Sequence, residues 1–355
     1  MAYTTIDNPE LYFQTKIYSG NSSTQAITLD GSENMQPDFC WFKMRSHADS
    51  HVAIDSVRGS NKAVYPDLNT AETTQTHYFS SFDSDGFTLG SSGIMNTSGR
   101  TYVSWNWKAG TTGSGTTTGS GTGKAYSFSV STVSGFSIIN YVGNGTIGQE
   151  IPHNLGTTPK WIIQKSRDHS TAGFIVYHHV ENTLGEFLRL DLTNAVATDT
   201  GTYRTPTSTN VVIGNDAGMN TNDNNHIMYC FSEVKGFSKF GSYIGNGSGT
   251  SGSYIYTGFK PSWLMVKQTD TSGEGWYMWD NKRSSSGGHN ENDRYLIASA
   301  NNAEGTLGVD CDFLSNGFKH YYSGDASNGD GHSYVYMAFA ESPFVNSKGI
   351  PTNAR

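Results

Sequence analysis

A chain of 355 residues is long enough for two or three ordinary domains, each with its own core. Only 15% of it is charged and the net charge is -8. With no Lys/Arg cluster interleaved with aromatics, that argues against a protein gripping nucleic acid through its phosphates.

Three further properties narrow the class. No apolar run approaches the roughly 18 residues of a membrane helix, so no membrane insertion is expected. Met1–Asp7 lacks the basic start and apolar core of a signal peptide. Cys40, Cys230 and Cys311 are scattered, with neither metal-ligand spacing nor a disulfide framework, which suits a reducing cytosol. Abundant Thr, Ser, Tyr, Phe and Gly favour strands joined by tight turns.

In chain order, residues 1–12 read as an N-terminal docking segment and residues 13–109 as a first module. Tyr18-Ser19-Gly20-Asn21 opens it, and an apolar strand follows at Pro37-Asp38-Phe39-Cys40-Trp41-Phe42-Lys43. Both faces of that strand are largely apolar, so it is expected to be central, with Pro at its first position. Val52–Asp55 is a second strand, Leu68–Glu72 a loop, and Phe82-Asp83-Ser84-Asp85-Gly86-Phe87 a hairpin whose Asp-Gly suits positive φ. Tyr102–Ala109 closes the module, its Val103, Trp105 and Trp107 alternating onto one face.

Residues 110–126, rich in Gly, Thr and Ser, read as a flexible linker. A second module, 127–235, repeats the pattern. It has Tyr141-Val142-Gly143-Asn144, Pro159 to Lys165, Phe174–Tyr177, and a closing strand with Ile227, Tyr229 and Phe231. It lacks the hairpin and carries Asn210–Gly214 instead. The third module, 236–344, has Tyr243-Ile244-Gly245-Asn246, Pro261 to Lys267, Trp276–Trp279 and Phe313–Phe318, and closes through Val335, Met337 and Phe339. Residues 345–355 read as a tail. The lysine falls six residues after the proline in all three copies. Modules two and three, with no polar spacer between them, are expected to stack rigidly, and module one to be tethered more loosely. The fold class is therefore all-β, three tandem β-sandwich modules, with jelly-roll and lectin-like forms both open.

The motifs that invite chemistry each have a structural explanation. Gly119-Ser120-Gly121-Thr122-Gly123-Lys124 departs from a phosphate-binding loop at Thr118 and Ala125. Asp83-Ser84-Asp85-Gly86 lacks the later ligands of a calcium loop, and the third copy keeps the turn without the carboxylates. Asp325 and Asp330 flank a Gly-rich stretch in which a surface cation stays open. His178-His179, with His153 or His169, sits where the other copies have Asp55 and Asp280 beside Arg58 and Arg283. Glu150, Glu181, Glu186 and Asp191 share a module without spacing that singles out a glycosidase pair. No catalytic residue, metal site or cofactor is expected. For ligand binding, Tyr277 and Trp279 are the candidates, because Trp276 and Met278 take the core-facing alternation.

As a set, Tyr3-Thr4-Thr5-Ile6, Tyr12 to Asn21, Asp55-Ser56-Val57-Arg58-Gly59, Ser81 to Phe87, Phe237 to Tyr243 and Ala338 to Phe344 resemble a repeated domain. That domain occurs in virion proteins of tailed phages of marine bacteria and cyanobacteria, and its molecular role is uncharacterised. The resemblance implies a non-enzymatic virion structural protein, a tail fibre or related appendage assembled in the host cytoplasm. Partners would be other virion proteins, further copies of the chain (a trimer, for a fibre), and host-surface glycan. A lectin-like adhesin and, behind it, a polysaccharide depolymerase are the alternatives.

Overall fold

The computed structural model describes residues 2–181, 185–199, 201, 206–284, 290–306 and 311–352. Strands dominate them, and two four-residue helices, Gly93–Asn96 and Ala217–Asn220, are the α-helices among the described residues. No helix among them is long and apolar enough to cross a membrane.

Three large antiparallel sheets share one strand order: opening, closing, central, second. In the first repeat these are Phe13–Ser19, Thr101–Trp107, Phe39–Met44 and Val52–Asp55. In the second they are Phe136–Val142, Asn225–Phe231, Trp161–Ser166 and Ile175–His178. In the third they are Ser238–Ile244, Ser333–Pro343, Phe259–Gln268 and Tyr277–Asp280. Register matches too: Trp41 opposes Trp105, Ile163 opposes Tyr229, and Met265 opposes Met337. A smaller sheet covers one face of each large one, which makes the fold an all-β sandwich architecture.

Alternation then sends each strand's side chains into two different cores. Cys40, Phe42 and Met44 enter a cluster with Ile27, Phe79 and Phe87 of the first small sheet. Ile162 does the same in the second repeat, and Leu264 and Val266 in the third. The opposite face carries Phe39 and Trp41, Trp161 and Ile163, Trp263 and Met265. These meet in one cluster built from all three repeats. Val103, Trp105, Trp107, Ile227, Tyr229, Phe231, Val335, Met337 and Phe339 all lie in it. The closing strands thus do turn those residues inward, though toward a core common to the three sheets.

At the centre of that core, residues in equivalent positions touch. Trp107, Phe231 and Phe339 form a triangle with ring centroids 6.5, 6.0 and 5.7 Å apart. Equivalent ends of the three closing strands thus meet at one point. Burying one aromatic of this size stabilises by roughly 1.5–3 kcal/mol, and this face exists only when all three sheets are present.

Two features of the sequence reading need correction. Residues 110–126 are not a flexible linker: Thr111–Thr116 pairs with Ala125–Ser131 and so extends the second large sheet. Gly113 and Gly115 lie opposite Phe128 and Tyr126, whose rings occupy the space a glycine side chain would need. Cross-strand aromatics covering glycines let such a tract form a strand. Within the expected docking segment, residues 2–12 pack against the rest of this chain. Ile6 is buried in the common core, the Tyr3 hydroxyl donates to Gly258 O at 2.8 Å, and Asp7 accepts from Ser347 at 2.6 Å. An apolar residue within reach of a large core is held there in preference to solvent.

The Tyr-x-Gly-Asn openings are explained by one local lock. Tyr18 donates to Met95 O, Tyr141 to Met219 O and Tyr243 to Ser327 O. Each following residue, Asn96, Asn220 and Asn328, is buried and accepts from the backbone N of Asn21, Asn144 or Asn246. The glycine between is obligatory: a Cβ at Gly20 would lie 2.2 Å from Thr97 O.

Candidate functional site: the joints between repeats

Among the described residues, the ion pairs with both side chains fully buried lie where one repeat meets the next. Three backbone bonds at equivalent positions close a ring: Glu72 N to Arg167 O, Val196 N to Thr269 O, and Glu304 N to Arg45 O. Each runs from the loop after the second strand of one repeat to the end of the central strand of another. Each repeat thus gives one loop and one strand end, and the three bonds return to the repeat they started from.

Side chains reinforce two of the three joints. Arg167 holds Glu72 at 2.7 and 2.8 Å through two nitrogens, and Arg45 holds Glu304 at 2.8 Å twice. Such paired contacts are the strong form of an ion pair. Behind each glutamate lies a second arginine. Arg58 reaches Glu72 at 3.0 Å and Asp55 at 2.5 Å, and Arg283 reaches Glu304 at 3.2 Å and Asp280 at 2.5 Å. Burial raises the carboxyls of Glu72 and Glu304, but the hydrogen bonds and charge of their arginines outweigh it and hold both below the usual range. At the third joint Val196 and Thr269 replace the pair, and the ion pair that links the second and third repeats lies elsewhere, where one chain segment runs into the next: Lys239 to Glu233 at 2.8 Å. The first repeat, expected to be tethered more loosely, is thus clamped by charge at both of its joints.

The same two joints carry a neutral donor into the acid. Tyr229 Oη donates to Asp55 Oδ2 at 2.7 Å, and Trp105 Nε1 to Asp280 Oδ2 at 2.9 Å. At the third, Met337 stands where Tyr229 and Trp105 stand, and His178 stands where the aspartates do. His178 Nδ1 accepts from Val180 N at 3.1 Å, so it still caps its turn. Burial, then the charges of His179 and Lys160, push its pKa well below the usual value.

These placements settle the role of the candidate motifs. His178 and His179 are at a joint, while His153 bonds to Thr207 O at 3.1 Å and His169 lies in a surface turn. No group of three His, Cys, Asp or Glu among the described residues could hold a metal. Asp83 accepts from Ser81 and Thr88 within the hairpin, and Asp85 accepts from Met35 N, which ties the turn to the segment before the central strand. The cysteines are buried, and burial pushes the thiols of Cys40 and Cys230 up, away from the reactive thiolate.

The aromatic platform needs correction as well. Trp279 is 0% exposed, packed with Leu264, Phe313 and Phe318, so no ligand reaches its ring. Tyr277 is half-buried and its hydroxyl donates to Glu274 at 3.0 Å. The second face of that strand, which the alternation left unassigned, is packed under the third small sheet.

The ring of joints was invisible in the sequence because its partners lie in different repeats. One signal existed: Glu72 and Glu304 recur at the same place in the pattern, beside Arg58 and Arg283.

The family model described as Domain of unknown function (DUF7483) matches residues 8–343, so the chain belongs to that family. No curated protein and no solved structure matches it.

Proposed function

We propose that this member of the family is a structural protein of a phage virion, in a tail fibre or related appendage, and not an enzyme. One observation carries the reading. The polar residues that recur between repeats, Asp55 and Asp280, Arg58 and Arg283, Glu72 and Glu304, are buried in joints that bind the sheets to one another. A catalyst keeps such groups at the mouth of a cleft with a perturbed pKa. Here they act as mechanical clamps around a core of stacked aromatics, which suits a part that must stay rigid while exposed. The motif-level likeness to virion proteins supplies the biological setting, with further copies of the chain and other virion proteins as partners.

Electron microscopy of purified particles with an antibody to this chain tests the reading. Label at a fixed place on the tail supports it. Particles that lack the chain by both labelling and mass spectrometry sink it.

A further inference from the structure

The three repeats serve as controls for one another: where two copies do without a residue, the fold does not require it. Ile27, Ile151 and Ile255 are equivalent and buried, Ile27 and Ile255 in edge strands of their small sheets and Ile151 in the middle strand of its own, between Thr118–Gly119 and Asn210–Ile213. The residues on either side alternate outward. In the first repeat they are Ala26 and Thr28, in the second Glu150 and Pro152. In the third they are Tyr254 and Tyr256, exposed by 47% and 53%. Two large aromatic rings thus sit in solvent at positions that alanine, threonine, glutamate and proline fill elsewhere. Folding does not call for them.

Both rings are held in place. Tyr254 Oη donates to Asn316 Oδ1 at 2.5 Å, and its ring packs over Gly317, where a Cβ would lie 2.9 Å from Cε2. The Tyr256 and Tyr3 hydroxyls meet at 3.2 Å, and Tyr3 Oη donates to Gly258 O at 2.8 Å. A glycine beneath each ring lets it lie down on backbone, and a tether at each hydroxyl fixes its rotamer. Rings fixed beforehand lose little freedom when a ligand arrives.

We propose that Tyr254 and Tyr256, with Tyr3 at their flank, form a glycan-binding surface. Two residues apart on a strand and on the same face, the tyrosines have Cα atoms about 7 Å apart, so their rings can meet successive sugars of one chain. The groups beside the rings are the Tyr3 hydroxyl, the Asn316 amide and the backbone of Gly258 and Gly317, which suit sugar hydroxyls. A protein partner is the poorer fit, since a stable interface buries about 800 Å² per side around an apolar core. The site is separate from Trp279 and from every joint, and it does not depend on which particle carries the chain.

The test is binding of the full chain to an array of bacterial capsular polysaccharides and lipopolysaccharides. The comparison is the double variant Tyr254→Ala, Tyr256→Thr, which installs the first repeat's own residues. The expected result is retention of at least one polysaccharide, weakened tenfold or more in the double variant at an unchanged melting temperature. Tyr256→Phe, which keeps the ring, is expected to bind within threefold of the natural chain and guards against a folding defect. An array that retains nothing, or binding undiminished in the double variant, overturns the proposal. Incorporation into particles is read separately and bears only on the proposed function.

Discussion

Tyr229 and Asp55 lie 174 residues apart in the chain, yet the tyrosine hydroxyl donates to the aspartate carboxylate over 2.7 Å, fully buried. Trp105 and Asp280 form the matching contact at a second joint. At the third joint methionine and histidine occupy the two positions. Tyr229→Phe deletes a donor to the Asp55 carboxylate and an acceptor for Arg58 Nη2 at 3.2 Å, so the loss is at least that of one charge-assisted bond, about 1.5–3 kcal/mol. Met337→Leu, at the equivalent position with no donor to lose, is expected to cost less than about 1.5 kcal/mol. Urea unfolding of the two variants checks the order; equal losses would mean that the hydroxyl contributes nothing.

Removing the acid itself is expected to cost more. Asp280 accepts from Trp105, from Arg283 Nε and from the backbone of Lys282 and Arg283. Asp280→Ala strands a fully buried guanidinium with Glu304 as its remaining carboxylate partner among the described residues, and breaking such a pair costs about 3–5 kcal/mol. The reciprocal change, His178→Asp, places a buried acid where no arginine waits, because Glu181 holds the position of Arg58 and Arg283. It is expected to destabilise too. Denaturation midpoints of both variants are the measurement, and a His178→Asp chain as stable as the natural one would refute the equivalence of the joints.

These contrasts mark what the sequence could disclose. Alternation in Val103-Ser104-Trp105-Asn106-Trp107 was enough for the strand and its buried face, since period two admits one reading. The destination of that face was not legible, because a strand apolar on one side looks the same whether it packs on its own sandwich or on two neighbours. Residues 110–126 misled for a related reason. Their glycines signal flexibility until Phe128 and Tyr126 are seen lying across them. Trp279 misled because burial of the second face depends on a small sheet formed from Tyr254–Tyr256 and residues beyond 290, remote in the chain.

A shared core makes a prediction about fragments. Phe39, Trp41, Trp105 and Trp107 are at most 4% exposed, covered largely by the other two repeats. A fragment of residues 1–109 would present that face to water, a patch far beyond what soluble monomers tolerate. It is expected to aggregate or remain unfolded, and the full chain to unfold in one transition. Calorimetry of the full chain and circular dichroism of the fragment decide the matter; three separable transitions and a folded fragment would show independent sandwiches.

The lysines six residues after each proline supply the last prediction, through pH. Lys43, Lys165 and Lys267 share the face of the central strands that points to the common core. Their ammonium groups reach backbone carbonyls: Lys43 to Met44 O, Lys165 to Asn69 O and Ala172 O, Lys267 to Gln268 O. Burial lowers each to about 8, against partial opposition from Asp67 and Asp49, from Asp191, and from Glu274 and Asp270 respectively. Below pH 8 the lysine is charged in both the folded and the unfolded chain, and the full cost of burying the charge is present. Between pH 8 and about 10.5 the unfolded chain still binds the proton that the folded one has released, so stability rises with pH. The slope is at most about 1.4 kcal/mol per pH unit for one lysine. Buried Cys40, Cys230 and tyrosines such as Tyr18 and Tyr141 are shifted upward and pull the other way as the unfolded thiols and phenols ionise. The lysine contribution is therefore read as a difference between the natural chain and Lys165→Met, by urea unfolding from pH 7 to 10. That difference is expected to move in favour of the natural chain as pH passes 8. A difference independent of pH would mean that Lys165 keeps its ordinary proton affinity inside the fold.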